Sequence, residues 1–212
     1  EGWKKLPTFG GLLAFDSVRP GLWLRAEKLG QKIFNLRAGS DYFWLELPDT
    51  REIVTGSGTA FDRLPYLIRP GEIMFWFGGP EWLGLTWEST AMSVGRENYR
   101  FAVNLQGLPL RTVLIDRRSL RIRAIRDYDF LGRVESTVRM DRYKEAGGRV
   151  FPHRLTVLRS EAGYRVRLKL GRPTFNEPIP EGAFEPNDRP GWHRIDLDHE
   201  PLGHIRALQS NR

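Results

Sequence analysis

The chain has 212 residues, of which 40% are hydrophobic and 12% aromatic, so it is not disordered and can bury a sizeable core. It has no cysteine, which excludes disulfides, thiolate nucleophiles and thiolate metal sites. Its formal net charge of +7 makes nucleic acid and anionic lipid two candidate classes of binding partner.

The stretch from Leu12 to Gly56 consists of short segments in which apolar and polar residues alternate between turn residues. In one segment Trp23 falls opposite the apolar face, and in a later segment Trp44 and Glu46 do so. A period of two, bounded by turns, is typical of half-buried antiparallel strands. We therefore predict a run of short strands here.

This alternation stops between Ser57 and Pro80, where apolar residues cluster around Arg69-Pro70-Gly71-Glu72. Pro70 suits the first turn of a helix, because its missing N–H has no partner to lose there. The glycines and proline at 78–80 would end that helix. We predict one or two helical turns that plug or cover one face of the sheet.

Strand patterns then resume and continue almost to the end. The predicted strands are Thr86–Val94, Asn98–Leu105, Leu110–Asp116, Leu120–Tyr128, Val134–Tyr143, Phe151–Arg159, Tyr164–Leu170 and Trp192–Leu197. In the second of these, the residues predicted to face inward are Tyr99, Phe101, Val103 and Leu105. Residues 198–212 are predicted to form a loosely ordered tail.

These patterns predict a mainly β protein with one domain over residues 1–212. The expected architecture is a single strongly curved antiparallel sheet of about ten or eleven strands, an unclosed half-barrel with a short helical plug or lid.

The basic residues follow the strand pattern rather than forming a separate cluster. Arg165, Arg167 and Lys169 alternate with apolar residues, as does Arg139. We interpret them as the solvent-facing side of strands, not as a nucleic-acid site. Weak attraction to an anionic membrane surface would be a by-product.

No catalytic motif is evident: there is no G-x-S-x-G, no phosphate-binding loop and no dinucleotide fingerprint. Asp127 and Asp129 flank Tyr128 and share a strand face, which allows either an acid–base pair or a solvated strand end. The histidines near the C-terminus match no metal-ligand spacing. We predict no enzyme activity, no cofactor and no metal, with a hydrolase using these groups as a minor alternative.

The aromatic residues are more informative than the acids. Eight of them stand out: Trp23, Phe34, Trp44, Phe75, Trp76, Phe77, Trp82 and Trp87. They would either fill a closely packed core or line an apolar cavity for an acyl chain. The residues alone leave both interpretations open.

Several motifs together resemble a known family, the periplasmic LolA/LolB-like lipoprotein-localisation superfamily. The similarity covers about residues 10–197 and consists of Gly11–Phe15, Arg19-Pro20, Leu22–Arg25, Phe43–Leu45, Phe151–Leu155 and Asn176–Pro186. The family normally begins with an amphipathic helix and a first strand, and the sequence here starts after that point.

The resemblance implies an unclosed β-barrel, covered by helices, whose hydrophobic cavity holds acyl chains. Arg19 would lie at the cavity edge and help to hold the lid. The residues expected to form the cavity or lid are Arg19, Trp23, Phe34, Trp44, Arg69, Ile73, Phe75, Trp76, Phe77, Trp82 and Trp87.

We therefore expect a monomeric, non-enzymatic carrier of lipid or lipoprotein acyl chains in the bacterial cell envelope. The expected location is the periplasm or outer membrane, including a lipid-anchored form whose signal and N-terminus are missing here. Expected partners are lipid or acylated lipoprotein, an anionic membrane surface and envelope transport proteins, but not nucleic acid. The alternative is an envelope scaffold with a filled aromatic core and a basic docking face.

Overall fold

The structure is a computed structural model that describes residues 8–206, except 17, 19–20, 40, 65–67, 70–71, 74–75, 77–89 and 160–162. The chain divides into two compact units. One comprises Pro7–Trp82 and Pro178–Arg212, and the other comprises Leu83–Glu177 together with Glu1–Leu6. The first contains a six-stranded sheet and the second a seven-stranded sheet.

The described residues form thirteen strands, one short α-helix and one 3-10 helix. The strands are β1 (Gly10–Asp16), β2 (Gly21–Lys28), β3 (Gln31–Ala38), β4 (Tyr42–Leu47), β5 (Glu52–Ser57), β6 (Thr90–Val94), β7 (Asn98–Leu105), β8 (Leu108–Asp116), β9 (Ile122–Tyr128), β10 (Val134–Ala146), β11 (Arg149–Arg159), β12 (Tyr164–Lys169) and β13 (His193–Asp196). Helix α1 spans Gly58–Phe61, and the 3-10 helix spans Leu202–His204. In the described part of the chain, no helix is long and apolar enough to cross a membrane.

The six-stranded sheet has the order β1-β2-β3-β4-β5-β13, and its first five strands are antiparallel neighbours. A cross-strand row of apolar residues marks one face, formed by Leu36, Leu45, Val54 and Ile195. All four are buried. The opposite face carries polar and tryptophan side chains, so the predicted alternation is confirmed.

Helix α1 covers part of the apolar face. Ser57 caps it, because the Ser57 hydroxyl accepts a hydrogen bond from the Ala60 amide at 3.2 Å. The rings of Phe61 and Phe43 meet edge to face with centroids 4.9 Å apart. The helix therefore follows directly on the end of β5.

The polar face is crossed by residues 183–192, which we call the C-terminal strap. Arg37 Nε donates to the Ala183 carbonyl at 3.1 Å, and the Tyr42 hydroxyl donates to the Phe184 carbonyl at 3.0 Å. The Phe184 ring lies directly on Gly21, where a Cβ atom would be 2.9 Å from the ring. Glycine at the start of β2 therefore makes room for the strap.

A buried ion pair fixes the strap to the sheet. Arg37 on β3 contacts Glu46 on β4 at 2.5 Å, and Arg189 of the strap reaches the other Glu46 oxygen at 3.3 Å. Arg37 and Glu46 are both buried. Burial makes these charges dependent on each other, because removing one leaves the other desolvated and uncompensated.

We predict that Glu46→Ala lowers the free energy of unfolding by about 3–5 kcal/mol, since Arg37 then remains buried without its carboxylate. Glu27→Ala is the matched control, because it breaks the more exposed Arg25–Glu27 pair and should cost less than about 1 kcal/mol. Urea denaturation followed by circular dichroism measures both. Equal, small losses would show that the buried pair does not hold the strap.

The seven-stranded sheet is an antiparallel meander with the order β12-β11-β10-β9-β8-β7-β6. One face carries a row of apolar residues that runs through Val113, Ile125, Val138 and Val157, all fully buried. The other face carries exposed basic side chains. The predicted solvent-facing position of Arg139, Arg165, Arg167 and Lys169 agrees with this arrangement.

The mainly β prediction is confirmed, but the prediction of a single sheet is not, because the strands form two sheets. The free edge of β5 pairs in parallel with β13 over Glu52–Thr55 and His193–Asp196. Since that edge is occupied, β6 starts a second sheet. Neither sheet closes on itself in the described residues.

Two local predictions also differ from the structure. Leu105 is 64% exposed rather than inward-facing; it is the last residue of β7 and stands beside the turn at the end of the sheet. Residues 198–206 are docked on the first unit: Ile205 is fully buried, and the Arg206 amide donates to buried Glu52 at 2.9 Å. Residues 207–212 lie outside the described part of the chain.

Candidate functional site

The structure describes six of the eleven predicted site residues: Trp23, Phe34, Trp44, Arg69, Ile73 and Trp76. The other five lie outside the described residues: Arg19, Phe75, Phe77, Trp82 and Trp87. All six described residues belong to the unit with the six-stranded sheet. They divide between its two sides.

Phe34 lies on the apolar face of β3. It pairs across the strands with Ala26 and is 8% exposed. Its ring meets that of Phe9 edge to face, with centroids 5.6 Å apart. This aromatic pair marks the β1–β3 end of the apolar face, while Phe43 and Phe61 mark the β4–β5 end.

Ile73 and Trp76 belong to a second helical segment. Glu72, Ile73 and Trp76 have helical backbone, and the side chains of the last two are buried. The carboxylate of Glu72 accepts from the Arg69 amide at 3.2 Å, as at the start of a helix. Helical backbone at Glu72, Ile73 and Trp76 agrees with a helix in this stretch, while its predicted first residue Pro70 and its predicted end at 78–80 lie outside the described residues. We call the described residues of this helical stretch the lid segment (Arg69, Glu72, Ile73 and Trp76).

An ion pair connects the lid segment to α1. Arg69 Nε lies 2.6 Å from a carboxylate oxygen of Asp62, which follows α1 directly. Because α1 packs on the apolar face through Phe61, this pair tethers the lid segment on the same side of the sheet. Both side chains are more than a third exposed.

Trp76 has an unusual polar environment. It is 6% exposed, yet its indole N–H has no hydrogen-bond partner among the residues that the structure describes. A buried donor without a partner costs about 1–3 kcal/mol. The indole N–H of Trp44, on the polar face, is also buried without a partner in the described residues.

The two tryptophans Trp23 and Trp44 lie on the polar face, as their alternation predicts. Trp23 Nε1 donates to Asn35 Oδ1 at 2.6 Å. The Arg194 guanidinium lies over the Trp44 ring at 4.8 Å from its centroid. The structure thus does not bring them together with Phe34, and they take part in the contacts beneath the C-terminal strap.

The two aspartates considered as an acid–base pair have separate structural partners. Asp127 is bound by Arg111 Nε at 2.6 Å and by the Ser136 hydroxyl at 3.1 Å. Asp129 is bound by Arg133 Nε at 2.8 Å. Each carboxylate is held in place by neighbours of its own, so the geometry favours the solvated strand-end interpretation for Asp129 and a structural ion pair for Asp127.

The acidic and histidine residues near the C-terminus form two pairs. His199 Nδ1 is 2.9 Å from Asp196, and His204 Nδ1 is 2.9 Å from Glu200. No group of three or more possible ligands converges on one point within the described ranges. The hydrogen bond and charge of Asp196 raise the pKa of His199, and the same hydrogen bond is the main cause that lowers the pKa of Asp196.

We predict that NMR titration of His199 gives a midpoint above the ordinary value of 6.5. The raised pKa means that protonated His199 adds stability below 6.5, and that this contribution is lost as the pH rises through the folded-state pKa. Asp196→Asn should return the midpoint toward 6.5. Asp188→Asn, which removes an exposed partner of Arg194 nearby, is the control and should leave it unchanged.

The sequence analysis missed two exposed apolar residues, Phe130 and Leu131, in the turn between β9 and β10. They are 81% and 60% exposed. The signal was present: two consecutive large apolar residues stand at the centre of a turn, between Asp129 and Gly132. Turn centres are ordinarily polar, so the exposure of two large apolar side chains at this turn needs an explanation.

Known proteins match the chain in structure rather than in sequence. No protein-family model and no curated protein sequence matches it. A DUF1329 family protein from Desulfovibrio piger has a TM-score of 0.56 and 11% identity, over 78% of this chain and 75% of that one. This similarity shows the fold.

Two other solved structures are similar over comparable lengths. One is a candidate outer membrane lipoprotein-sorting protein domain from Vibrio parahaemolyticus, with a TM-score of 0.45 and 15% identity, over 79% of this chain and 81% of that one. The other is a LolA superfamily protein from Nitrosomonas europaea, with a TM-score of 0.46 and 13% identity, over 77% and 76%. Both TM-scores are lower than that of the DUF1329 family protein, whose similarity is therefore the one that shows the fold.

Proposed function

We propose that the chain binds the acyl chains of a lipid or acylated lipoprotein on the apolar face of the six-stranded sheet, beneath the lid segment. The observation that carries the proposal is the buried indole N–H of Trp76, which lacks a partner in the described residues. An acyl ester or amide offers the carbonyl oxygen that this donor requires. The aromatic pairs on the apolar face would contact the chain itself once the lid segment opens, because Phe34, Phe43 and Phe61 are buried while it is closed.

The weak ion pair that connects the lid segment to α1 would allow the lid segment to open when a ligand is loaded or released. The Arg69–Asp62 pair is part-exposed, and ion pairs of this kind contribute about 0–1 kcal/mol. Breaking it therefore costs little compared with the gain from ligand binding. Each methylene group buried contributes about 0.8 kcal/mol, so an acyl chain of ordinary length outweighs the tether several times over.

The proposal describes a carrier rather than an enzyme. The solved structures named for lipoprotein sorting and for the LolA superfamily suggest the class of role, and they do so through fold likeness at 11–15% identity. The role we propose is carriage within the bacterial cell envelope, in the periplasm or at the outer membrane. Its partners would be lipid or acylated lipoprotein, with envelope transport proteins as donors or acceptors.

The direct test is organic extraction of the purified protein followed by lipid mass spectrometry, with native mass spectrometry of the intact sample. A stoichiometric phospholipid or acylated species is the expected result. A mass without ligand, together with no uptake of a fluorescent fatty acid, would contradict the proposal and favour the envelope scaffold with a filled aromatic core.

We predict that Trp76→Glu abolishes most lipid binding and leaves the β-sheet signal in circular dichroism intact, because a carboxylate would replace an apolar ring beside the acyl chain. Trp76→Phe keeps the apolar surface and removes only the N–H donor. Since a net hydrogen bond is worth about 1 kcal/mol, Trp76→Phe should weaken binding about fivefold.

Trp192→Glu is the matched control, because Trp192 stacks with Arg189 of the strap and not with the lid segment. It should leave the affinity for a fluorescent fatty acid unchanged. An equal loss in Trp76→Glu and Trp192→Glu would point to general destabilisation. Unchanged binding in both would show that the lid segment does not touch the ligand.

A further inference from the structure

One end of the seven-stranded sheet exposes an unusual amount of apolar side chain. Two hairpin turns lie there, β7–β8 and β9–β10, and they are adjacent because β8 pairs with β9. The large apolar residues exposed at these turns and their flanking strand ends are Leu105, Leu108, Leu110, Phe130, Leu131 and Val134. We call this set the apolar tip.

The apolar tip is held in a defined conformation. In the β9–β10 turn, Asp129 Oδ1 accepts hydrogen bonds from the amides of Leu131 and Arg133 at 2.9 and 2.8 Å. Partial burial raises the pKa of Asp129, but these bonds and the Arg133 side chain outweigh it and lower the pKa overall. The turn backbone is thus satisfied internally, and Phe130 and Leu131 point away from it, 81% and 60% exposed.

The neighbouring β7–β8 turn is equally tight. Gln106 and Gly107 both have positive φ, at 52° and 81°, which is the geometry of a two-residue hairpin turn. It presents Leu105 and Leu108 on either side, 64% and 49% exposed. The β7–β8 and β9–β10 hairpins approach each other, since a Cβ on Gly132 would lie 3.9 Å from the Pro109 ring.

A basic sheet face adjoins the apolar tip. Its exposed basic side chains come from four strands, β7, β9, β10 and β12, and are Arg100, Arg126, Arg139, Arg165, Arg167 and Lys169. Within the described ranges, Arg126 and Arg139 form no ion pair. Their cross-strand neighbours are small, namely Thr112, Ala124, Thr137 and Thr156. The guanidinium groups of Arg126 and Arg139 therefore have no aromatic partner directly across the neighbouring strands.

We propose that the seven-stranded sheet docks on an anionic phospholipid bilayer. The apolar tip would enter the interface between head groups and acyl chains, and the basic face would contact lipid phosphates. Guanidinium groups suit phosphate because they bind it through two parallel N–H bonds. Apolar residues beside a cationic surface are the combination that peripheral membrane binders use.

Two features favour a bilayer over other anionic partners. Sheets that bind single-stranded nucleic acid stack bases on exposed aromatic side chains. Here the residues paired with Arg126 and Arg139 are threonines and an alanine, and Tyr128 nearby is half-buried, with its hydroxyl accepting from Thr112 at 3.3 Å. The apolar tip projects at the end of hairpins rather than lining a groove, so a deformable surface accepts it more readily than a preformed protein pocket. The inference does not depend on acyl-chain binding by the other unit.

The test is vesicle flotation with the full chain, using neutral phosphatidylcholine vesicles and vesicles that also contain about a third phosphatidylglycerol. We expect binding to the anionic vesicles that weakens with added salt, because the electrostatic contribution is screened. Phe130→Ser combined with Leu131→Ser should reduce the partition coefficient at least tenfold.

The matched control for the apolar tip is Leu120→Ser. Leu120 is 69% exposed in the β8–β9 turn, at the opposite end of the same sheet. Its replacement should leave the partition coefficient unchanged. All these positions are exposed, so the variants should keep the wild-type circular dichroism spectrum and melting temperature.

The basic face is tested by Arg126→Gln combined with Arg139→Gln. Each arginine near an anionic surface contributes about fivefold, so the pair should lower the partition coefficient about 25-fold and flatten the salt dependence. The control with the same change of charge is Arg118→Gln combined with Arg123→Gln, at the β8–β9 end.

Three results would overturn the proposal: equal flotation with neutral and anionic vesicles, equal losses in the paired variants at the two ends, or no flotation at all. Binding of a single-stranded oligonucleotide in place of vesicles would also overturn it and assign the basic face to nucleic acid.

Discussion

The contact on which the first unit depends is the buried pair between Arg37 and Glu46. These charges lie on neighbouring strands in the middle of a sheet face, and they are stable there because Arg189 and the Ala183 carbonyl complete their bonding. The same contacts hold the C-terminal strap across the sheet. The strap leads directly into β13, which pairs with the edge of β5. The polar contacts of the strap therefore help to position the last strand of the six-stranded sheet.

This arrangement gives the two faces of that sheet different roles. The polar face is filled by the strap, by the Trp23–Asn35 hydrogen bond and by Arg194 on the Trp44 ring. The apolar face is covered by the short helix α1 and by the lid segment, which an exposed ion pair connects to it. The tether of this cover is weak, although its side chains Ile73 and Trp76 are buried, and the ligand site that we propose lies beneath it.

The alternation of residues predicted most of the local structure. It placed Trp23 and Trp44 opposite the apolar positions, and strand β7 has the predicted bounds, because a period of two is a local property of the chain. It did not predict the parallel pairing of β13 with β5, since that depends on residues 140 positions apart. Nor did it predict that Leu105 is exposed, because alternation gives the side of a strand on which a residue lies but not whether the sheet's core extends to the strand end.

The candidate site was predicted only in part, because it too depends on contacts between residues that are far apart in the sequence. Composition identified the aromatic residues but gave no information about which of them share a side, so Trp23 and Trp44 were grouped with Phe34 and Trp76. The lid segment was found because Pro70 and the apolar residues around it leave a helical pattern in the sequence. The buried N–H of Trp76 depends on three-dimensional packing, and no local pattern reports it.

The pairing of β13 with β5 also sets an order of events during synthesis. The seven-stranded meander joins neighbours in sequence, so each of its hairpins can form as soon as it leaves the ribosome or a translocation pore. The six-stranded sheet is complete only once β13 has been synthesised, and β13 pairs with residues about 140 positions earlier in the chain. Until then the edge of β5 is open to pairing with other chains, and the nascent protein is most exposed to aggregation at this point.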